Sequence, residues 1–450
     1  MTIDNLPRSD SGGDLGRRGF LQAFGAGLAA TVAPDVLGEQ AASKRGSRPN
    51  ILFIMADDLG AECLGCYGGT SYKTPHLDAL ARTGIRFAHG HSTPLCSPSR
   101  VQVMTGRYPF RTGWPTMINA RPADKQFLDP RERTFGHVLK AAGYATALAG
   151  KWQLCHFEER PDHVRQCGFD DYCCWMWRYK GKKTHRYWSP AIWQDGKPRQ
   201  DVRDRYGPDV FCDSLIDFMT RNRSRPFLAY YPMTLTHGPF LPTPDTKRAG
   251  REGKKRRGGG ANYAAMVAYM DKLVGKLVAA LDRLGLRENT LILFTGDNGT
   301  PRQITSKVGA ARIQGGKGKM TEAGTHVPLI ANWKGTAPGG RVCEDLVDFS
   351  DMMPTFAELA GADLSKGAAI DGRSFAPQLR GRQGAPREWI YCQLGKARWV
   401  RTVRWKLYAT GKLYDMKADP TEAAAIAPGT GNEHAEAARK RLGAILATLK

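Results

Sequence analysis

The sequence predicts an α/β protein, a mixed and mostly parallel sheet sandwiched by helices, followed by a smaller domain built on an antiparallel sheet. Three observations lead there. From Arg48 onward short apolar runs alternate with helical stretches, the pattern of successive βα units. Several of these runs are followed closely by charged or ligating residues, as at the carboxyl edge of an open α/β sheet, where sites are built. After Gly361 the pattern changes to short strands set close together.

Taken in order, a polar leader reaches Arg17-Arg18-Gly19-Phe20-Leu21, which opens an apolar stretch of small residues from Phe20 to Ala33. This has the form of a twin-arginine export signal. The stretch is shorter than the ~20 residues of a spanning helix. Residues 1–42 are therefore expected to be signal and linker, and the mature chain to be periplasmic or extracellular without stable membrane insertion.

Ile51-Leu52-Phe53-Ile54-Met55 reads as a buried strand running into Asp57-Asp58. Ala145 to Ala149 is a weaker strand ahead of Lys151, and Phe227 to Tyr231 a further one with His237 beyond its end. Leu291 to Phe294 leads into Asp297-Asn298-Gly299. Between the last two, Met266, Val267, Met270, Leu273, Val274, Leu277 and Leu281 recur at helical spacing, predicting an amphipathic helix over Tyr263–Leu284 that stops at Gly285. Residues 43–365 are expected to form the first domain. In residues 366–450, Trp389–Gln393, Trp399–Val403 and Lys406–Ala409 read as strands, followed by Leu413-Tyr414-Asp415 and a helix from about Ala435.

Hydrophobic residues make up 41% of the chain and charged ones 24%, which excludes wholesale disorder. The charge balance is unusual: 66 Lys and Arg against 43 Asp and Glu, a net +23. Such a field draws polyanions, and nucleic acid, anionic membrane and sulfated polysaccharide fit it equally well. Lys254-Lys255-Arg256-Arg257, followed by Gly258 to Gly260, is a basic loop shortly after His237. Ten cysteines in an exported chain make disulfides the default expectation, but their spacing shows no framework. Cys63-Leu64-Gly65-Cys66 lacks the setting of a redox pair, and the adjacent Cys173 and Cys174 are hard to bridge to each other.

The most specific motif is Cys96-Ser97-Pro98-Ser99-Arg100, followed by Thr105-Gly106-Arg107-Tyr108-Pro109. Pro98 suits a helix start, where the missing amide hydrogen costs nothing. Cys96 then lies at a helix N-terminus, whose free amides and dipole favour anions. Asp57, Asp58, Asp297 and Asn298 offer only oxygen, the ligand set of a hard cation such as Ca²⁺ or Mg²⁺, whereas zinc prefers His or Cys.

These motifs resemble the sulfatase family. The resemblance extends to Asn50–Gly60, Gly150-Lys151-Trp152, Thr236–Pro239, Asp297–Gly299, Gly315–Pro328 and Leu413–Glu422, in the family's order. It implies an alkaline-phosphatase-like core and hydrolysis of sulfate esters, with residues 43–365 as the catalytic domain. It also implies that Cys96 is oxidised to formylglycine by a separate formylglycine-generating enzyme. A hydrated aldehyde carries two hydroxyls, one to attack sulfur and one to collapse and expel sulfate. The resemblance favours calcium, held by Asp57, Asp58, Asp297, Asn298 and the modified Cys96. It assigns Arg100 and Lys151 to support the nucleophile and the bound anion, and Lys317 and His237 to hold the sulfate and help the leaving oxygen depart. With the basic balance, a sulfated saccharide becomes the expected substrate, and nucleic acid is not expected as a partner. Phosphonate or phosphodiester hydrolysis, and sulfated-glycan binding without turnover, are the alternatives. One departure stands out: relatives read Gly-Lys-Trp-His-Leu where this chain has Gln153, so a histidine that takes a proton is missing, and His156 is the nearest replacement in sequence.

Overall fold

The computed structural model describes residues 48–246, 259–365, 367–430 and 432–449. The Arg17-Arg18 stretch and the Lys254–Arg257 loop lie outside them. No helix among the described residues is long and apolar enough to cross a membrane.

The large sheet has ten strands, here numbered in chain order. They are β1 (Asn50–Ala56), β2 (Ile85–His91), β3 (Ala145–Gly150), β4 (Asp171–Trp175), β5 (Ile192–Gln194), β6 (Lys197–Pro198), β7 (Phe227–Pro232), β8 (Thr290–Gly296), β9 (Leu329–Asn332) and β10 (Arg341–Asp348). Their spatial order is β10-β2-β9-β8-β1-β7-β3-β4-β5-β6. The central run β8-β1-β7-β3-β4 is parallel throughout, and β9 enters antiparallel between β8 and β2. The expected mixed, mostly parallel sheet is thus present.

The continuous apolar run of β1 follows from burial on both faces. Successive side chains alternate, so Ile51, Phe53 and Met55 enter the core shared with Val101, Phe135 and Phe356. Leu52, Ile54 and Ala56 enter the opposite core, with Leu77, Phe211 and Met270. The helices Cys96–Thr105, Phe135–Ala141 and Met352–Ala360 therefore cover one face, and Pro75–Arg82, Gly207–Arg221 and Gly259–Arg283 the other. The last of these begins four residues before the position its apolar spacing marks.

Beyond the large sheet, Ile390–Leu394, Ala397–Arg401, Trp405–Tyr408 and Leu413–Asp415 form an antiparallel sheet in chain order. The helix Glu433–Thr448 covers it, with Leu442 and Leu446 against Val400, Leu407 and Leu413. All ten cysteines are free, and all but Cys66 are buried, so the default expectation of disulfides is not met. Packing explains their placement, since a thiol behaves as a small apolar group.

A buried ion network ties the segment after the signature helix to the C-terminal sheet. Arg387, 5% exposed, lies 2.5 Å from Asp351 and 3.3 Å from Asp348. Its Nη1 also donates to the Tyr108 hydroxyl (3.1 Å), which donates to Asp348 (3.2 Å). Removing one partner from such a network leaves uncompensated buried charge. Arg387→Met should therefore lower unfolding stability by roughly 3 kcal/mol in urea titrations; an unchanged midpoint would show that the network contributes no net stability.

Candidate active site

The carboxyl ends of β1, β8, β7 and β3 lie side by side, in the registers Ala56↔Gly296, Met55↔Pro232 and Leu148↔Tyr230. Backbone bonds extend the alignment past the strand ends: Asp297 N donates to Ala56 O (2.8 Å), Asp57 N to Leu235 O (2.7 Å) and Lys151 N to Pro232 O (2.7 Å). Asp57, Asp297 and Lys151 are thereby fixed by rigid neighbours. Gly150 makes the last contact possible. Its φ is +127°, and a Cβ there would stand 2.0 Å from Pro232 O, so no other residue fits.

Adjacent side chains on a strand point to opposite faces, so Asp57 and Asp58 would ordinarily diverge. Asp58 has φ 64°, a left-handed conformation that Asp tolerates better than most residues. Both carboxylates consequently reach Cys96, whose Sγ lies 3.7 Å from Asp57 Oδ1 and 4.0 Å from Asp58 Oδ1. Cys96 is the first residue of its helix, which Gly106 closes in the left-handed conformation.

Cations surround this centre. Lys151 Nζ donates to both oxygens of Asp57 at 2.8 Å. Arg100 donates to Asp297 Oδ2 (2.7 Å) and to Lys151 O (2.8 Å). Lys317 donates to Asp58 Oδ2 (2.6 Å), and His237 Nε2 stands 3.7 Å from the same oxygen. Asp297 Oδ1 accepts from Asp58 N (3.0 Å), and Asn298 Nδ2 donates to Asp58 Oδ1 (2.9 Å). Cys96, Arg100, Lys151, His237, Lys317, Asp57, Asp58, Asp297 and Asn298 are thus brought into one contact network.

The electrostatics follow from burial against charge. Burial opposes ionisation of Asp57, but Lys151, His237, Arg100 and Lys317 outweigh it and hold its carboxyl well below the usual range. Asp297, burdened by burial and by the Asp57 charge, is pushed up to about 7. Burial raises the Cys96 thiol to about 12. His237 is lowered to about 4, chiefly by burial. Its Nδ1 lies 2.7 Å from Gly238 O, which can only accept, so Nδ1 carries the proton and Nε2 is left open.

The oxygen donors of this centre suit a hard cation. Ligand atoms of Asp57, Asp58, Cys96 and His237 lie within 4.8 Å of one another. Asn298 Oδ1 is buried without a hydrogen-bond partner, an oxygen oriented for something other than protein. Asp57, Asp58, Asp297 and Asn298 would hold such an ion.

The centre opens into a cleft of about 540 Å³ lined by Asp58, Leu95, His237, Arg302 and Lys317, among others. A larger open groove of about 850 Å³, between Trp188 and Lys276, lies away from these residues. The loop carrying Lys317 is held from three sides. Lys317 N donates to Thr300 O (3.0 Å) and Gly318 N to Pro94 O (2.8 Å). From the C-terminal sheet, Trp399 Nε1 (2.7 Å), Tyr408 Oη (3.0 Å) and Lys406 Nζ (3.1 Å) all donate to Met320 O. Lys406 is wholly buried and pairs with Glu322 (3.1 Å) and Glu422 (2.9 Å).

His156 has other partners. Its Nε2 pairs with Gln126 Oε1 at 3.0 Å and its ring packs on Trp177, with centroids 4.9 Å apart. Among the described residues no contact joins it to Asp57, Asp58 or Cys96. Gln153 Oε1 is buried and unpartnered. Two features escape a reading of the sequence. Arg186, whose Nη1 is 3.6 Å from Asp57 Oδ2, sits in the run Lys182-Lys183-Thr184-His185-Arg186, which reads as solvated charge. The Glu322–Lys406–Glu422 clamp joins segments about a hundred residues apart, and no local pattern announces it.

The sulfatase family model matches residues 49–362. The chain is 32% identical to mouse (Mus musculus) steryl-sulfatase, over 84% of this chain and 72% of that protein. It is 32% identical to N-acetylgalactosamine-6-sulfatase of Canis lupus familiaris, with the same coverage. Among solved structures it is similar to Ps i-CgsB in complex with k-i-k-neocarrahexaose, at TM-score 0.75 and 25% identity, over 90% of this chain and 93% of that one. It also shares its fold with the phosphonate monoester hydrolase of Agrobacterium radiobacter, at TM-score 0.64 and 20% identity, over 89% of this chain and 95% of that one.

The clamp makes a separate prediction. Lys406→Met should lower the melting temperature by leaving Glu322 and Glu422 short of a cation. It should also lower turnover by loosening the Lys317 loop, although Lys406 does not line the cleft. A folded variant with unchanged turnover would show that the loop holds itself.

Proposed function

Because the chain belongs to the sulfatase family and is a sulfuric ester hydrolase, we propose that it cleaves its substrate through formylglycine made from Cys96, beside a calcium ion. The observation that carries this reading is the position of Cys96, first residue of a buried helix, within 4.0 Å of two carboxylates and ringed by Lys151, Arg100, Lys317 and His237. A thiol whose ionisation burial opposes is a poor nucleophile as it stands. Formylglycine, when hydrated, supplies two hydroxyls on one carbon, one to attack sulfur and the other to expel sulfate. Calcium, when bound, supplies charge that orients the anionic substrate and lowers the repulsion among the carboxylates.

The protein's own groups do the rest. Arg100 and Lys151 fix Asp297 and Asp57, so the carboxylates cannot turn away from the nucleophile position. Lys317, at the wall of the cleft, donates to sulfate oxygens and to the leaving oxygen as charge develops there. His237 exchanges its proton at Nε2, the nitrogen left open by the bond from Nδ1 to Gly238 O. With Gln153 in place of the family's usual histidine, and His156 held by Gln126 and Trp177, His237 is the imidazole that serves the reaction.

For the substrate we propose a sulfated saccharide. The net charge of +23 favours polyanions, and a relative at 32% identity is named for a sulfated sugar. Export through the Arg17-Arg18 signal accords with that choice: the family's cysteine oxidation precedes folding, and the twin-arginine route carries folded cargo. Co-expressed with a formylglycine-generating enzyme, the protein should bear a hydrazide-reactive aldehyde at residue 96 and release sulfate from defined sulfated saccharides. Cys96→Ala should abolish release while the fold persists. Near-normal activity in that variant would contradict the mechanism, and faster cleavage of an aryl phosphonate ester than of its sulfate counterpart would contradict the reaction class.

A further inference from the structure

We infer that Arg186 is a sulfate-binding residue, donating through Nη1 to an oxygen of the sulfate group being transferred; the inference rests on the sulfatase reading of the same site. Buried guanidinium nitrogens are nearly always partnered, because an unpaired N–H away from water costs about 1–3 kcal/mol. Arg186 Nη1 is buried and has no hydrogen-bond partner. Its nearest carboxylate oxygen, Asp57 Oδ2, is 3.6 Å away, which gives attraction without a hydrogen bond. Nor does Asp57 require it: Lys151 already donates to both Asp57 oxygens at 2.8 Å. The side chain is therefore aimed at the centre without serving the protein's internal pairing.

Its aim is set by packing. The guanidinium lies over the Trp175 ring, 4.1 Å from the centroid, a cation–π contact that fixes its plane. Trp175 ends β4, one residue past Cys174, which is in register with Gly150 of β3, the residue before Lys151. Trp175 Nε1 donates to Thr184 Oγ1 (3.0 Å), which anchors the start of the Arg186 loop. At the other end Tyr187 Oη donates to Thr234 O (2.8 Å) and to His237 O, tying the loop to the turn that carries His237. Arg186 is thus clamped between the supports of Lys151 and His237. Both of those residues face the nucleophile position, so an acceptor for Nη1 there is an oxygen of the reacting anion. The side chain is 14% exposed, so the guanidinium meets a ligand largely stripped of water, where a charge-assisted bond is strong.

The test compares wild type, Arg186→Met and Arg186→Lys, each co-expressed with the modifying enzyme and loaded with calcium. Inorganic sulfate binding is followed by calorimetry, and kcat/KM on a small aryl sulfate and on a saccharide carrying a second anionic group. Methionine can keep the packing on Trp175 but donates nothing. It should weaken sulfate binding and lower kcat/KM on both esters by about ten- to a hundredfold. Lysine keeps the charge without the fork and should recover part of each loss. Wild-type sulfate affinity in folded Arg186→Met overturns the inference, as does a loss confined to the doubly anionic saccharide. If Arg186→Met does not fold, Arg186→Lys decides: a severalfold loss on both measures supports the assignment, and wild-type values overturn it. A wild type that releases no sulfate from any ester counts against the functional reading instead, while inorganic sulfate binding still reports on Arg186.

Discussion

Three carboxylates, Asp57, Asp58 and Asp297, meet at the inner end of the cleft, each no more than 2% exposed. Taking an ion out of water carries an effective penalty of several kcal/mol, of order ~5. Such a cluster exists only if positive charge is brought to it, and much of the surrounding architecture does that. Lys151, Arg100 and Lys317 each contribute a short contact to a different carboxylate. Asp297 is still raised to about 7, first by burial and then by the Asp57 charge.

Rigid elements make the convergence possible. The acids and Lys151 stand where parallel strands end, and lateral backbone bonds continue beyond the strands themselves. Two backbone departures then redirect side chains: the left-handed Asp58 brings neighbouring carboxylates to the same side, and Gly150 lets Lys151 approach the turn after β7. The C-terminal sheet reaches the centre through Met320 O, where the Trp399 indole, the Tyr408 phenol and the buried Lys406 ammonium together fix the Lys317 loop.

The legible part of this protein is the part written locally. A strand buried on both faces must be apolar throughout, so β1, β7 and β8 stand out, and the polar residues just past them mark the site. Ile85–His91 and Arg341–Asp348 escape such a reading, because Arg86, His89, Glu344 and Asp345 break their apolar runs. The Cys96 helix start follows from its Pro98, and the gathering of oxygen donors Asp57, Asp58, Asp297 and Asn298 from their places just past strand ends. Long-range pairing is what the sequence conceals. Glu322 with Lys406, and Arg186 over Trp175, depend on how distant segments meet, and either basic residue alone reads as ordinary surface charge. His156 shows why nearness in sequence does not decide position: three residues from Gln153, it packs on Trp177 and pairs with Gln126 instead of joining the centre.

If the buried carboxylates are built around a hard divalent cation, the metal-stripped protein should take up calcium. The direct measurement is a calcium titration of metal-stripped protein, followed by calorimetry and by melting temperature, for wild type and for Asp297→Asn. Ligand that binds only the folded state raises stability by roughly 2.7 kcal/mol at a hundredfold excess over Kd. Wild type should bind one calcium and melt at higher temperature in its presence, and Asp297→Asn should lose most of that affinity. Stabilisation by zinc but not calcium, or no response to any divalent cation, would contradict the account.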